Sequence, residues 1–591
     1  MSEDRNQKQT NAPKRPSGAR TAATRKTGAE RKNFSRPENS GSAGEKGRGS
    51  KASGAEAYRW NGRKAGNDQK SFGEQKASGE RKPSWDRKFS GDRKTAGDRP
   101  FGDRKPSGDH KSFGGRRHAG FADRKPGPAG GKPGRENGRR EKPTVEGLES
   151  RRIALQVIRK VTEGGAYASL ALDTALKGSG LSAADRRLAT RLVYDTLDQL
   201  IYLDHALSQV MAREDTDIKL RNILRLGACQ LLLEDRIPES AATNTCVELC
   251  AELGMDGLKG VCNGILRNLI RKKEDLTLPD PEKEPDKWHS VRFSVPEWLW
   301  IRLREDYGTE EAEKIVSYRE KEESITIRPN LTRDGEEGLE KVLEKKIWGR
   351  EKGRIPFAWH ITGAMDIARD ADFLAGAFSI QSESSMMASL AMAPKRGQQI
   401  LDCCAAPGGK TCLMAELMGG TGRVQAWDVH EHRTDLIEAQ ARRLGLDNIR
   451  PVTRDALRHR EDLTASMDGV LLDAPCSGLG VLAEKPDIKL RVTEESVREL
   501  TELQARLLDA VCDYVKPGGT LVYSTCSLLR DENERQAEAF LQRHPEFEAV
   551  KLPDTIPEAF RNQERLGLQL LPHRDGVEGF YICRMRRREN P

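Results

Sequence analysis

The feature that most constrains the fold is a repeated alternation of apolar strands and helices that begins at Gln398. A chain with this alternation is expected to form a mostly parallel sheet with helices on both faces. We therefore predict a Rossmann-like α/β domain over residues 391–588. The strands are predicted at residues 400–402, 423–428, 449–453, 469–472 and 520–524.

The first predicted strand runs into a loop of small residues and then into a helix that begins near Lys410. The loop reads Cys404-Ala405-Ala406-Pro407-Gly408-Gly409. Small residues let a ligand approach the backbone closely, and the start of a helix offers unpaired N–H groups. The loop is therefore predicted to hold a cofactor or a nucleotide.

One ligand that fits this loop is a nucleoside triphosphate. The P-loop pattern G-x-x-x-x-G-K-[ST] is missed by one position, because Cys404 stands where the first glycine is required. A strand at residues 470–473 could serve as a Walker B segment, but Pro407 removes an N–H that a phosphate cradle would use. A P-loop NTPase stays open as an alternative.

The other ligand is S-adenosylmethionine. It predicts an acidic residue at the end of the second strand, where a carboxylate can hold the ribose hydroxyls. Asp428 occupies that place, and Asp455 and Asp473 follow the third and fourth strands. One such aspartate is often only a helix cap. Three of them beside this loop favour a cofactor site.

Two cysteines follow the fourth and fifth strands. Cys476 comes three residues after Asp473, and Cys526 comes two residues after Ser524. Because these strands are neighbours in sheets of this kind, we expect the two thiols to face each other across the site. Other cysteines are interpreted as small buried hydrophobic residues, and these are Cys229, Cys246, Cys250, Cys262, Cys512 and Cys583.

Two thiols at one site favour covalent chemistry on a cytosine. A thiolate that adds to C6 turns C5 into an enamine carbon, which can attack a sulfonium methyl group, and a base then removes the C5 proton so that the thiol leaves. A carboxyl group such as Asp473 could supply or orient a proton at N3. Lys410 could favour the thiolate electrostatically. The predicted catalytic residues are Cys526, Cys476 and Asp473.

The N-terminal segment has a different composition. Residues 1–142 carry 37 Lys and Arg against 17 Asp and Glu, with few aliphatic residues larger than alanine. Such a segment cannot bury enough apolar area to offset its ordering entropy, so we expect a disordered basic arm over residues 1–145. Lys and Arg would contact RNA phosphates while scattered aromatic rings stack on bases. A solubilising tail without a specific partner is the alternative.

Two further regions lie between the arm and the α/β domain. Apolar residues at Ile153, Val157 and Val161 follow helical spacing, and residues 149–274 are predicted to form an all-α domain. An acidic, proline-rich linker follows. Residues 286–390 mix helices with one clear strand at 325–327, which predicts a small α/β subdomain.

Several classes of protein do not fit this chain. Its 11 cysteines are odd in number and lack zinc-ribbon spacing, which favours a reducing compartment and predicts no metal site. The first residues lack the apolar core of a signal peptide, and no run of about 20 apolar residues could cross a membrane. We expect a cytoplasmic monomer.

Residues 290–585 resemble the Sun (Nop/Sun) family of RNA cytosine-5 methyltransferases, through the segments 405–411, 473–478 and 524–527. The resemblance implies that Cys526 is the nucleophile and that Cys476 assists product release. DNA cytosine-5 enzymes instead use their Pro-Cys thiol as the nucleophile, so the second cysteine favours RNA. Contacts with the cofactor or the target base are implied for Cys404, Ala405, Ala406, Pro407, Gly408, Gly409, Lys410, Asp428, Asp455 and Asp473.

Residues 149–274 resemble the NusB antitermination-factor domain, an all-helical RNA-binding module, through residues 186–188 and 263–268. A NusB-like domain joined to a Sun-type domain is similar to bacterial enzymes that methylate a cytosine of 16S ribosomal RNA. RNA is therefore the expected partner, with residues 286–390 in contact with it and the arm adding salt-dependent phosphate contacts. An idle RNA-binding or ribosome-assembly protein is the remaining alternative, and the intact thiols and aspartates argue against it.

Overall fold

The computed structural model describes residues 146–213, 215–319, 324–364, 366–561 and 565–589. The predicted basic arm over residues 1–145 lies outside these ranges. All of the described residues belong to one compact unit.

An all-helical region comes first, as the sequence predicted. The three periodic positions, Ile153, Val157 and Val161, are buried. The central helix is α5, in which every residue from Asn222 to Leu231 is buried. The helices are α1 (Leu148–Gly164), α2 (Ala168–Leu176), α3 (Ala183–Asp198), α4 (Leu200–Ser208), α5 (Ile218–Leu232), α6 (Glu239–Glu252) and α7 (Lys259–Lys272).

A small antiparallel sheet occupies the next region, and the sequence predicted only its first strand. The strand order is β2-β3-β1-β4. β2 was missed because all four of its residues are exposed and polar or glycine, so no apolar pattern marks it. The elements are α8 (Pro285–Phe293), α9 (Glu297–Tyr307), α10 (Thr309–Ser317), β1 (Ile325–Pro329), α11 (Gly335–Glu344), β2 (Gly349–Lys352), β3 (Trp359–Thr362), α12 (Ala371–Leu374), β4 (Phe378–Ile380) and α13 (Glu383–Met392).

The larger sheet has the strand order β10-β12-β9-β8-β5-β6-β7, and β11 pairs with β12. Its strands are β5 (Gln399–Asp402), β6 (Arg423–Asp428), β7 (Ile449–Thr453), β8 (Met467–Asp473), β9 (Val515–Thr525), β10 (Phe547–Ala549), β11 (Leu568–Leu570) and β12 (Phe580–Arg587). The helices of this region are α14 (Gly409–Leu417), α15 (Glu431–Leu444), α16 (Ile488–Arg491), α17 (Glu494–Val511), α18 (Glu534–Arg543), α19 (Glu558–Arg561) and α20 (Pro572–Asp575).

Strands β5 to β9 pair in parallel, whereas β12 runs antiparallel to β9. Successive residues of β5 belong to different hydrophobic cores, since Ile400 lies in one and Leu401 in the other. The sheet is therefore covered on both faces, which confirms the predicted α/β class. The direction in which strands are added reverses between β5 and β8, and sheets of this kind bind ligands in the crevice at the carboxyl ends of such strands.

Candidate active site

The loop between β5 and α14 is bonded to the strands on both sides of β5. The backbone N–H of Cys403 donates to the carbonyl of Leu471 at 2.9 Å, and that of Ala405 donates to the carbonyl of Trp427 at 2.8 Å. The Ala406–Pro407 peptide bond is cis. These contacts fix the small-residue loop above the crevice between β5 and β8.

Gly408 ends this loop with a φ of +107°. A Cβ added there would lie 3.2 Å from the Cα of Ile437 in α15. Both the left-handed backbone and the close approach of α15 require glycine at this position. The first N–H groups of α14 follow directly, so the loop ends on a group of hydrogen-bond donors.

A buried carboxyl group, Asp402, ends β5 next to this loop. The hydroxyl of Thr411 donates to its Oδ2 at 2.6 Å, and within the described part of the chain its Oδ1 is buried without a hydrogen-bond partner. Burial, aided by the charge of Asp473, raises the pKa of Asp402 to about 7. The loop therefore lies next to a carboxyl group whose raised pKa disfavours its ionised form.

Asp473 and Lys410 form an ion pair at the centre of the crevice. Lys410 Nζ lies 2.8 Å from Asp473 Oδ2, and the hydroxyl of Ser524 donates to Asp473 Oδ1 at 2.7 Å. Burial alone would lower the pKa of Lys410, but the charge and hydrogen bond of Asp473 outweigh it and raise that pKa. Lys410 is thus held as a cation beside the thiols.

Cys476 and Cys526 face each other, as the pairing of β8 with β9 predicted. Their Sγ atoms are 3.3 Å apart. The hydrogen bond with Cys476 is the largest influence on Cys526 and, with the charge of Lys410, lowers its pKa against the opposing effects of burial and Asp473. The same contact, together with burial, raises the pKa of Cys476 well above its ordinary value. The charge of Lys410 acts on Cys526 and therefore favours the thiolate form of that cysteine.

The remaining two aspartates lie towards the other end of the sheet. Asp428 ends β6 and is 3% exposed. Its Oδ2 lies 3.3 Å from Arg433, and its Oδ1 accepts from the N–H of His430 at 3.2 Å. Asp455 follows the outermost strand, β7, and accepts from the N–H of Leu457 at 3.0 Å. The direct contacts at the centre of the site therefore form two pairs, Lys410 with Asp473 and Cys476 with Cys526.

Sequence reasoning missed several residues that the fold brings to this site. Arg433 of α15 donates to the loop carbonyl of Ala406 at 3.3 Å, and so it links the loop to Asp428. Val429 is 55% exposed directly after Asp428. Glu532 is buried against both cysteine-bearing loops. Of these residues, only Val429 could have been suggested by the sequence, because it directly follows an aspartate at the end of a predicted strand.

Within the described ranges, no group of three or more His, Cys, Asp or Glu side chains is arranged to hold a metal ion. In the same part of the chain, every helix is too short or too polar to cross a membrane. All eleven cysteines are free.

Comparisons with known proteins agree with this geometry. A family model described as 16S rRNA methyltransferase RsmB/F matches residues 389–586, and the NusB family model matches residues 148–271. The probable ribosomal RNA small subunit methyltransferase B of Bacillus subtilis (strain 168) is 38% identical over 443 residues, which cover 74% of this chain and 98% of that protein.

A second relative and a solved structure cover the same share of the chain. Ribosomal RNA small subunit methyltransferase B of Shewanella oneidensis is 32% identical over 441 residues, which cover 74% of this chain and 99% of that protein. The crystal structure of PH0851 has 27% sequence identity and a TM-score of 0.64, and it covers 74% of this chain and 98% of its own. The predicted resemblance to Sun-type and NusB domains is thereby confirmed. The chain belongs to the RsmB/F family of 16S rRNA methyltransferases and carries a NusB-family domain ahead of its methyltransferase domain.

Proposed function

We propose that this protein transfers a methyl group from S-adenosylmethionine to C5 of a cytosine in 16S rRNA. Family membership supports methyl transfer to rRNA. The observation that carries the cytosine-C5 chemistry is the 3.3 Å contact between Cys476 and Cys526, beside the Lys410–Asp473 ion pair. One thiol can add to the ring, and the second is close enough to take part in release.

The crevice suits S-adenosylmethionine better than a nucleoside triphosphate. Two carboxyl groups, Asp402 and Asp473, border the loop, and the Lys410 ammonium is already paired with Asp473 at 2.8 Å. Triphosphate oxygens would therefore meet the Asp473 carboxylate and a lysine that is already paired with it, which argues against the P-loop alternative.

Asp428 suits the ribose hydroxyls, and the exposed side chain of Val429 offers an apolar surface to the adenine. When bound, the cofactor supplies an electrophilic methyl group. We assign its binding to Cys404, Ala405, Ala406, Pro407, Gly408, Gly409, Lys410, Asp428, Asp455 and Asp473.

We assign the role of nucleophile to Cys526, because its lowered pKa favours the thiolate. Its Sγ forms a bond to C6 of the cytosine, and the C5=C6 electron pair moves onto C5, which becomes nucleophilic. Asp473, fixed by Lys410 and Ser524, accepts a hydrogen bond from the N3–N4 edge of the ring. N3 takes up a proton from water as Cys526 attacks and returns it to water when the C5=C6 bond is restored.

We assign release to Cys476. After methylation, C5 carries both a methyl group and a proton, and loss of that proton restores the C5=C6 bond and expels the Cys526 thiolate. While Cys526 is bonded to carbon, its sulfur no longer carries the negative charge that opposes ionisation of Cys476. Cys476 then ionises more readily and can accept the C5 proton.

RNA binding is assigned to three parts of the chain. Two of them, the NusB-family region over residues 149–274 and the subdomain over residues 286–390, precede the catalytic domain in the sequence. The basic arm over residues 1–145 adds phosphate contacts, so binding is expected to weaken with salt.

The reaction product tests this proposal. Unmethylated 16S rRNA made by transcription is incubated with the protein and methyl-labelled S-adenosylmethionine, digested to nucleosides and analysed by mass spectrometry. We expect 5-methylcytidine, and none with Cys526→Ala. Cys229→Ala, which removes a buried thiol from α5, is the matched control and should retain activity. A different methylated nucleoside would contradict the proposal.

A further inference from the structure

Glu532 is a completely buried carboxylate that lies between the two cysteine-bearing loops. Its Oε1 accepts from the backbone N–H of Ser477 at 2.8 Å and from Gln504 Nε2 at 3.1 Å. Its Oε2 accepts from the hydroxyls of Ser477 and Ser527. Four donors from three residues therefore converge on one side chain, which matches the roughly four lone-pair sites of a carboxylate.

The two serines stand directly after the two thiols of the site. Ser477 follows Cys476 and Ser527 follows Cys526, and the two serine hydroxyls lie 3.1 Å apart. One carboxylate thus links both loops through side chains, in addition to the backbone pairing of β8 with β9. A shift of either loop would break a hydrogen bond to Glu532.

Neighbouring residues hold the same loops from the outside. Gln504 of α17 also donates to the carbonyl of Pro475, at 2.9 Å. Asn533 donates to the carbonyl of Ser527 at 2.9 Å and accepts from the hydroxyl of Thr525. Each cysteine is therefore flanked by residues that bond to this group of polar side chains.

The free-energy cost of burying the Glu532 carboxylate indicates a role beyond packing. A buried carboxylate has to be compensated by well-placed donors, and an apolar side chain of similar size would fill the space at a lower cost. The donors that compensate Glu532 come from the cysteine-bearing loops and from Gln504, which also donates to the carbonyl of Pro475. The buried carboxylate therefore acts on the positions of these loops.

We propose that Glu532 is a positioning residue that keeps Cys476 and Cys526 at hydrogen-bonding distance, an inference that rests on the proposed function. Without this carboxylate the loops can separate. Cys526 then loses the hydrogen bond that is the largest influence on its pKa, and this loss outweighs the smaller, opposite effect of removing the charge of Glu532. Cys476 also moves away from the C5 proton that it accepts. Adduct formation shifts to higher pH, and product release slows.

The test uses the full-length protein with Glu532→Gln, which preserves the shape of the side chain. We expect kcat to fall by about 10²-fold, the size of effect that a misplacement of 1 Å produces. A covalent protein–RNA adduct should accumulate on a denaturing gel, the rising limb of the single-turnover pH profile should move to higher pH, and the Kd for S-adenosylmethionine should stay within about twofold. Glu538→Gln, an exposed position on α18, is the matched control.

Two companion variants keep the inference testable if Glu532→Gln does not fold. Ser527→Ala removes one bond to the carboxylate and should show the same changes to a smaller degree. Glu532→Asp, which keeps the charge, should recover part of kcat. A folded Glu532→Gln or Ser527→Ala with wild-type kcat and pH profile would overturn the inference. Loss of cofactor binding in parallel with activity would also overturn it, since that indicates a scaffold role.

The proposed function has a separate readout. If the wild-type protein forms no 5-methylcytidine, the proposed function fails. If wild-type and Cys526→Ala behave as proposed while Glu532→Gln is normal, only the role of Glu532 fails.

Discussion

At the scale of single residues, two cysteines 3.3 Å apart acquire opposite acid–base behaviour from their neighbours. Contact between the two thiols lowers the pKa of Cys526 and raises that of Cys476. Lys410, held as a cation by Asp473, lies on the side of Cys526. The proposed division of labour between nucleophile and release residue rests on these neighbours, since the two side chains are identical.

Lys410→Met should slow the first methylation at neutral pH by roughly 10²-fold, an effect typical of losing one preorganised charge. Removing the cation leaves Asp473 uncompensated, and both effects raise the pKa of Cys526. Below that pKa the thiol is protonated and methylation is slow, and above it the thiolate reacts quickly. The rising limb of the plot of rate against pH therefore moves to higher pH.

Single-turnover rates between pH 6 and 10, with saturating cofactor, measure this shift. Lys395→Met, an exposed position outside the crevice, should leave the profile in place. If the rising limb of the pH–rate profile is unchanged in Lys410→Met, the ion pair does not influence the pKa of Cys526.

At the scale of elements, the segment from β5 through α14 forms the proposed cofactor side of the crevice. Its loop is bonded to β8 on one side and β6 on the other. Gly408 joins the loop to α14 and packs against α15. The position of the loop therefore depends on these hydrogen bonds and on the backbone conformation of Gly408.

Gly408→Ala should destabilise the protein by about 1–2 kcal/mol through its left-handed backbone alone. The close approach of Ile437 should also displace the loop and weaken the affinity for S-adenosylmethionine by roughly tenfold. Urea denaturation and calorimetric titration measure the two effects. Gly420→Ala has a similar positive φ but open space around its Cβ, so it should lower stability without changing affinity. Equal affinity in both variants would contradict this account of the loop.

Elements with a local pattern could be predicted from sequence, and those that depend on distant pairing could not. The alternation of apolar segments predicted β6, β7 and α14 almost to the residue, and small residues indicated the loop that leads into α14. β12 was missed because its antiparallel place beside β9 is set by a partner about 60 residues away. Glu532 was missed because its segment, Arg530-Asp531-Glu532-Asn533-Glu534-Arg535, has the composition of a solvated charged surface.

At the scale of the whole molecule, the helical region is fastened to the segment that follows the Cys476 loop. Buried Lys489 of α16 donates to the carboxylate of Asp198 at 2.8 Å and to its carbonyl at 2.7 Å. Arg491 lies 3.9 Å from the ring centre of Tyr167, and Leu490 packs against the helical core. These contacts attach the helical region to the catalytic domain.

Asp198→Asn should destabilise the full-length protein by roughly 3–5 kcal/mol, because it leaves a buried ammonium group without its anion. The urea midpoint measures this change. Asp173→Asn removes an exposed ion pair with Lys177 and should cost less than about 1 kcal/mol. Similar midpoints for the two variants would show that the Lys489 contact does not hold the regions together.

The central claim is that Cys526 attacks and Cys476 releases. Its most direct test is a denaturing gel of labelled 16S rRNA incubated with S-adenosylmethionine and each cysteine variant. This assignment of roles predicts a retarded protein–RNA band with Cys476→Ala, which disappears in the double variant Cys476→Ala/Cys526→Ala. A band that forms with Cys526→Ala and is absent with Cys476→Ala would contradict it, because the roles of the two thiols would then be reversed.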